Sequence, residues 1–586
     1  MIKATGSQII IKLLEAEGIK TVAGIPGGSI LPLYDELNRS SIKHVLVRQE
    51  QAAGFIAQGM SRSSGKPAVC MATSGPGAMN LLTAIADARC DSVPIIAITG
   101  QVNSSLIGTD AFQEADTFGL SFPITKHSMM IKDPLELLTA IPKAFSIAVS
   151  GRPGPVLIDI PRDVQTATVT FDKWPSAKAL NSAADTLTAR RFVTPQKQIG
   201  PIISGMVDAL LKSSKPVLFL GGGCNSQKAS EEINKFLGFY DAAVVTSLMG
   251  IGIVPRSSRN NFGMVGMHGS FAANKAMHDA DLVLASGVRF DDRATGLISK
   301  FCPNATILHI DIDAAEINKI LPSSFSLVCE AEKAFPLLTK ELSSRKQKST
   351  GSKSAKPGSR SAWIKELAKV YDETESVELG RSKGIPKESV NPRAFIRDIP
   401  EAAKKAGLNA GDIIVTTDVG QHQMWSAQYY PVEKPRQFLT SGSLGTMGFG
   451  LPAAIGASLA NKTKRVVCIS GDGSILMNIQ ELATLRELGL NVTVFILQNG
   501  SLGMVRQQQH FLFNDNFSAS EFGFVPDFLQ LARGFGIDAI NANEDKQWFK
   551  KAFAKGPHLV LLNINMEENV LPFVKAGSAN IDALRD

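Results

Sequence analysis

A chain of 586 residues with 44% apolar residues is long enough for about three domains of ~150 to 200 residues each and too apolar to be disordered. It has no run of 18 apolar residues, so no membrane-spanning helix is expected. Met1-Ile2-Lys3-Ala4-Thr5 leads straight into an amphipathic stretch without signal or transit character, which points to a cytosolic protein. The net charge of +7 does not argue for nucleic acid. Arg345, Lys346, Lys348, Lys353, Lys356 and Arg360 fall in one Ser/Gly/Lys stretch without an acid, and +7 less these six leaves +1. The basicity is therefore expected on a solvated linker.

In chain order, short apolar strands are predicted at 21–27, 44–50, 68–77, 94–100 and 155–161, with helices at 52–64 and 78–89 between them. Continuous apolar strands separated by helices predict a parallel sheet covered on both faces, with ligands at the carboxyl ends of its strands. After a polar, Thr/Ala-rich passage at about 166–195 the pattern restarts, with strands at 216–223, 242–248, 282–287, 306–313 and 326–330. The basic stretch at about 343–360 reads as a linker. A third unit follows, with strands at 412–420, 466–472, 492–499 and 558–565. The expected class is α/β with three doubly wound parallel-sheet domains, at 1–165, 196–340 and 386–575, with a linker at 341–385. The first and third could be copies of one fold.

The six cysteines, Cys70, Cys90, Cys224, Cys302, Cys329 and Cys468, form no C-x-x-C pair. They are expected to be reduced and mostly buried, with no disulfide framework and no zinc site.

The third unit carries a phosphate-and-metal pattern. An apolar strand ends in Gly471-Asp472-Gly473-Ser474, and a second ends in Gln498-Asn499-Gly500-Ser501. Glycines let the backbone turn sharply beside a phosphate. Asp472, the Asn499 amide oxygen and a nearby main-chain carbonyl supply hard oxygens of the kind Mg²⁺ takes, together with substrate phosphates. Alone, Gly-Asp-Gly reads as a turn. One helix and one strand between 472 and 499 favour the metal reading. Glu50 follows an apolar strand and precedes a helix start, where a lone glutamate is commonly a charge favoured by the macrodipole.

With these residues the chain resembles the thiamine-diphosphate-dependent enzymes. The resemblance assigns the metal to Asp472, Asn499 and the carbonyl of Ser501, with Gln498 where the family has a first Asn. It assigns diphosphate contacts to Val419, Gly420, Gln421 and His422, and further cofactor contacts to Gly473, Ser474, Gly503 and Met504. Gly445 and Met447 would support the bent cofactor. His422 and Met447, without that context, read as a loop histidine and a core methionine. Glu50 would meet the aminopyrimidine ring, where a water-poor pocket raises a carboxyl pKa and lets it share a proton with a ring nitrogen. Gln49 stands where the family more often has His.

Over nearly the whole chain the resemblance is to the large catalytic subunits of the acetohydroxyacid synthase (acetolactate synthase) family. Its carriers are Ala23-Gly24-Ile25-Pro26-Gly27-Gly28, Thr73-Ser74-Gly75-Pro76-Gly77, Gly100-Gln101-Val102, Ile107-Gly108-Thr109-Asp110-Ala111-Phe112-Gln113-Glu114-Ala115-Asp116, Gly266-Met267-His268-Gly269 and Arg289-Phe290-Asp291-Asp292-Arg293-Ala294-Thr295-Gly296. It implies two thiamine-diphosphate-binding folds flanking a Rossmann-like FAD-binding domain. Active-site roles would fall to Gly27, Glu50, Phe112, Gln113 and Arg293. FAD contacts would come from Gly221, Gly222, Gly223, Ser247, Leu248, Gly266, Met267, His268, Gly287, Arg289, Asp291, Arg293, Asp311 and Glu330. A guanidinium such as Arg293 can grip a keto acid's carboxylate through two hydrogen bonds. The competing reading is that Arg289 and Arg293 merely pair with Asp291 and Asp292.

The implied reaction is decarboxylation of pyruvate and transfer of the hydroxyethyl carbanion to a second 2-keto acid, pyruvate or 2-ketobutyrate, on the way to branched-chain amino acids. The implied cofactors are thiamine diphosphate, Mg²⁺ and FAD. The implied assembly is a homodimer or dimer of dimers, with Glu50 and Asp472 of different subunits in one site, and a small regulatory subunit as a further partner. Neither nucleic acid nor membrane is expected. Gln508 replaces the family's usual Trp and Asn103 a common Pro, which predicts weak preference for 2-ketobutyrate and poor binding of sulfonylurea-type inhibitors. The alternatives are another carboligase or decarboxylase of the same cofactor class, such as an FAD-free catabolic acetolactate synthase, or an inactive cofactor-binding paralogue supported by Gln49, Gln498 and Gln508. A nicotinamide dehydrogenase lacks a G-x-G-x-x-G fingerprint after any strand.

Overall fold

The structure, a computed structural model, describes residues 1–175, 193–348, 357–380 and 389–585. β1 (Ile2–Thr5) pairs antiparallel with β8 (Thr168–Phe171) as a strap outside the main sheets. Between them lie β2 (Thr21–Gly24), β3 (Lys43–Leu46), β4 (Ala68–Ala72), β5 (Ile95–Gln101), β6 (His127–Met130) and β7 (Val156–Pro161). They form a parallel sheet in the order β3-β2-β4-β5-β7-β6. The central sheet holds β9 (Pro216–Leu220), β10 (Ala243–Thr246), β11 (Asn261–Met264), β12 (Leu282–Ser286), β13 (Thr306–Asp311) and β14 (Phe325–Val328), in the order β11-β10-β9-β12-β13-β14. The third sheet holds β15 (Ile413–Thr417), β16 (Phe438–Leu439), β17 (Arg465–Gly471), β18 (Val492–Gln498), β19 (Asp538–Asn541) and β20 (His558–Asn563), in the order β16-β15-β17-β18-β20-β19. All pairs in these three sheets are parallel. This is the doubly wound α/β class that the apolar runs predict.

The strands stop short of the predicted ends. The run 68–77, for example, is strand only to Ala72, and Pro76 already starts a helix ending at Cys90. Proline is favoured in a first helical turn, and Gly75 at φ +57 makes the corner. Six strands were not predicted, β1 and β8 of the strap and β6, β11, β16 and β19 of the main sheets.

The first and third units share one apolar core, which runs from Ala23, Val45 and Ile56 to Leu451, Ile455 and Val466. The contact centres on two crossing helices, Glu50–Ser64 and Gly450–Ala460. A Cβ on Gly59 would overlap the carbonyl oxygen of Ala453, and a Cβ on Gly456 would overlap that of Ile56. Each helix therefore gives up one side chain so that the two backbones can touch. Phe55 and Phe449 meet edge to face beside the crossing, 5.4 Å between centroids.

The segment read as a solvated linker carries folded structure. Helix Pro357–Leu379 places Trp363, Ile364 and Leu367 in the central core. Arg360 donates to the carbonyls of Ser213 at 2.8 Å and of Leu210 and Leu211 at 2.9 Å, the last turn of helix Gln196–Lys212. Arg345 bonds Ser204 at 2.6 Å and Glu341 at 2.8 Å. These two cations therefore serve folded elements, which composition could not reveal. Lys353 and Lys356 lie outside the described residues.

All six cysteines are free, with Cys70, Cys224, Cys302 and Cys468 buried. Among the described residues there is no cluster of three His, Cys, Asp or Glu suited to a metal, and no helix is long and apolar enough to cross a membrane.

Candidate functional site

The third sheet brings its polar tips to one point. Asp472 heads the short helix after β17, and Asn499 follows β18, the neighbouring strand. The Asp472 carboxylate accepts the amides of Gly473 (3.1 Å), Asn499 (3.1 Å) and Gly500 (2.7 Å). Asn499 Oδ1 accepts the Ser501 amide at 3.0 Å, and its Nδ2 donates to Gln421 Oε1 at 3.3 Å. Burial pushes the Asp472 carboxyl up to about 6, against the pull of the amides. A nearby cation would favour the ionised form of such a group. The buried Ser501 Oγ and His422 Nε2 have no partner, and burial holds His422 neutral, down to about 3.

The space is kept by glycine. A Cβ on Gly473 would come 2.9 Å from Leu502 Cδ2, and one on Gly471 would come 2.9 Å from His422 Nδ1. Gly420, at φ +151, starts the helix that carries Gln421 and His422. Hard oxygen donors, unpartnered polar atoms and bare backbone together fit Mg²⁺ and a diphosphate.

A cavity of about 1740 Å³ opens from this point and is lined by all three units. On the third unit its wall includes Val419, Gly420, Gln421, His422, Gly445, Met447, Asp472, Gly473, Ser474, Asn499, Ser501, Gly503, Met504 and Gln508. The central unit contributes Gly222, Gly223, Ser247, Leu248, Met267, His268, Gly287, Arg289, Asp291, Arg293, Asp311 and Glu330. Gly221 and Gly266 lie behind this wall and shape it. The central strand order reverses between β9 and β12, and the turns after these two strands touch through glycines. A Cβ on Gly221 would overlap the carbonyl oxygen of Gly287, and one on Gly223 would come 2.8 Å from Gly287 Cα. Ligands of doubly wound sheets bind at such a reversal point, and bare glycine backbone there allows phosphates a close approach. Gly266, at φ +113, lets Met267 donate its amide to the Arg293 carbonyl at 2.9 Å.

The two arginines differ. Arg289 reaches the Cys90 carbonyl at 3.1 Å and Ser443 Oγ at 2.5 Å, and among the described residues it makes no acidic pair. Arg293 lies 3.7 Å from Asp292 with both side chains exposed, a pairing worth little. The Asp291 side chain instead caps its own helix through the Ala294 amide at 3.2 Å. Mere pairing with Asp291 and Asp292 therefore fails for Arg289 and holds only loosely for Arg293. Burial raises Asp311 to about 6 and lowers His268 to about 4.

Arg62, Asp91, Arg152 and Arg436 also line the cavity, and no motif in the sequence marks them. Arg152 crosses from the first unit to Glu316 (2.8 Å) and Asp313 (3.5 Å) of the central one. Its only local signal is the turn Gly151-Arg152-Pro153-Gly154 before β7.

The remaining predicted residues gather elsewhere. Glu50 heads its helix after β3, and its Oε2 accepts Asn80 Nδ2 at 2.9 Å. Around it the wall is bare. A Cβ on Gly77 would come 3.5 Å from Glu50 Oε1 and 2.8 Å from Thr73 Cγ2, and one on Gly27 would come 2.6 Å from Thr73. Gln113, at φ +59, packs its backbone on Gly75, and Phe112 is 87% exposed. The buried Gln49 Oε1 has no partner. Glu50, Gly27, Phe112 and Gln113 do not line the cavity that Asp472 lines. The predicted site residues thus fall into two groups within one chain.

The chain matches known proteins along its length. Three family models match: "Thiamine pyrophosphate enzyme, N-terminal TPP binding domain" over residues 4–120, the central domain of the same enzymes over 203–338, and their C-terminal TPP binding domain over 418–564. The chain is 44% identical to the acetolactate synthase isozyme 1 large subunit of Escherichia coli, covering 99% of this chain and 97% of that protein. It is 39% identical to the isozyme 2 large subunit of the same organism, covering 99% of each. With a probable acetolactate synthase large subunit of Methanocaldococcus jannaschii it shares 41% identity over 98% of this chain and 94% of that one. The chain belongs to the acetolactate synthase large-subunit family of thiamine pyrophosphate enzymes.

Proposed function

We propose that this chain is the catalytic subunit of an acetolactate synthase, which decarboxylates pyruvate and joins the two-carbon unit to a second 2-keto acid. The observation that carries the reading is the Asp472–Asn499 corner, in a cavity that the glycine turns after β9 and β12 also line. Thiamine diphosphate, when bound, supplies the carbon nucleophile and electron sink that side chains lack, while the protein supplies orientation and electrostatics.

Each residue then has a task. Asp472, the Asn499 amide oxygen and the Ser501 carbonyl would hold Mg²⁺, and the turns at Val419–His422 and Gly473-Ser474 would receive the diphosphate. Met447 would support the cofactor from below, with Gly445 as its hinge. Glu50 would hold a proton at the pyrimidine end, oriented by the Asn80 amide. Arg293, exposed at the cavity wall, would take a 2-keto acid's carboxylate. The central cradle would take FAD through the residues named above. Because Glu50 does not line the Asp472 cavity, the complete site would take Glu50 from a second copy. This favours a homodimer or dimer of dimers, and the relatives' description as large subunits favours a small regulatory partner.

The test is direct. Purified protein with pyruvate, thiamine diphosphate, Mg²⁺ and FAD should form acetolactate. No product under these conditions refutes the reading, and product without any flavin requirement favours the FAD-free catabolic alternative. Competition between pyruvate and 2-ketobutyrate should show little bias, because Gln508 stands at the cavity wall where the family usually has Trp.

A further inference from the structure

Where the first unit meets the third, two carboxylates and one guanidinium form a cluster that no step above uses. Asp87 lies in the last turn of helix Pro76–Cys90, and Asp91 is the next residue beyond it. Both side chains are fully buried, and Arg62 Nη2 lies 3.3 Å from Asp87 and 2.9 Å from Asp91. A helix C-terminus disfavours anions, so these acids stand there against the local preference. Burial raises the Asp87 carboxyl pKa, and Arg62 opposes it.

One cation cannot occupy all the acceptor sites of two carboxylates, and one loop of the third unit fills the rest. The Ser441 hydroxyl donates to Asp87 Oδ2, and the Thr446 hydroxyl donates to the same oxygen at 2.9 Å. The amides of Gly442 and Ser443 donate to Asp91 at 2.8 and 2.9 Å. The Thr446 amide donates to Ser441 Oγ at 2.8 Å, which closes the loop on itself. Arg289 of the central unit adds its bonds to Cys90 and Ser443. Hydrogen bonds to ionised acceptors are among the strong ones, and here they all converge on one loop from another unit. That loop runs directly into Gly445 and Met447.

We infer that Asp87 and Asp91 are positioning residues, which hold the loop from Ser441 to Thr446 so that Gly445 and Met447 keep the shape that receives thiamine diphosphate. The inference rests on the functional reading above. It is tested by titrating Mg²⁺ and thiamine diphosphate into the full-length protein by calorimetry. Asp87→Asn should weaken binding about tenfold, and the near-isosteric Thr446→Val about threefold. The KM for pyruvate at saturating cofactor should stay within about twofold in both, as uniform loss of cofactor binding requires. Thr446→Val should leave the melting temperature of the cofactor-free protein unchanged.

Melting temperatures that fall while the cofactor dissociation constants stay at the wild-type value would overturn the inference. If Asp87→Asn does not fold, Thr446→Val and Ser441→Ala decide alone, and wild-type affinity in both overturns it. Acetolactate formation separates the two claims. Weakened binding without product in any variant supports the loop's role and sinks the reaction, whereas product with unshifted binding does the reverse.

Discussion

Two sheets of this chain are wound alike and equipped differently. Numbered within its own unit, each of the first and third sheets runs second, first, third, fourth, sixth, fifth. After the third strand of the third unit comes Asp472. After its counterpart β4 in the first unit come Thr73-Ser74-Gly75-Pro76-Gly77, which carry no acid. After the second strand of the first unit comes Glu50. After its counterpart β16 comes the loop that Asp87 and Asp91 hold. The two helices that follow these strands, Glu50–Ser64 and Gly450–Ala460, are the pair that cross with glycine against backbone. One winding thus builds both sheets, and the residues at corresponding strand tips differ. Packed on each other within one chain, the halves turn Glu50 and Asp472 to different places.

The largest effect expected from breaking this division is on the metal corner. Asp472→Asn removes the carboxylate there and should abolish Mg²⁺-dependent thiamine diphosphate binding by calorimetry, with activity down by at least about 10³-fold. Glu50→Gln should leave that binding largely intact while lowering kcat by about 10² to 10⁴, the range of a proton-transfer group. Co-refolding the two variants sharpens the comparison. If a site needs Glu50 of one copy and Asp472 of another, random pairing should restore about a quarter of wild-type activity, since half the dimers are mixed and each has one whole site. No recovery would mean that each chain completes its own site.

Smaller effects concern stability. Gly456→Ala puts a Cβ onto the Ile56 carbonyl and should cost about 1–3 kcal/mol or more by overpacking, read as a lower melting temperature with the sheets' circular dichroism retained. Asp159, on β7, accepts Thr99 Oγ1 at 2.7 Å and Gln101 Nε2 at 3.0 Å, and burial raises its pKa to about 7. The unfolded value is about 3.9, so the folded state keeps a proton that the unfolded chain loses in between. That stabilisation is complete below about pH 4 and is lost as pH rises through about 7. The difference in melting temperature, wild type minus Asp159→Asn, should therefore fall from pH 5 to pH 8.

Every central strand of the three main sheets was legible in the sequence, whereas of their six edge strands only β3 and β14 were. β4, β5, β17 and β18 are buried on both faces and spell continuous apolar runs. The four strands missed in the main sheets, β6, β11, β16 and β19, all lie at sheet edges. β6 reads His-Ser-Met-Met and β19 Asp-Ala-Ile-Asn, half-exposed and without a run, and β16 has only two residues. The cradle glycines and Asp472 were legible because glycine and aspartate at a strand tip announce a tight turn with a charge. Arg152, Asp87 and Asp91 were not, because their partners lie hundreds of residues away or in another unit.

The sequence by itself determined the class of fold, three parallel α/β units, and the chemical kinds of group at each strand tip, because both are written in local runs of residues. Only the tertiary structure decided which tips share a cavity, which arginines serve a linker helix and which acids hold a distant loop. Those depend on how crossing helices set one unit against another, and the contact at Gly59 and Gly456 exists only when both backbones are in place.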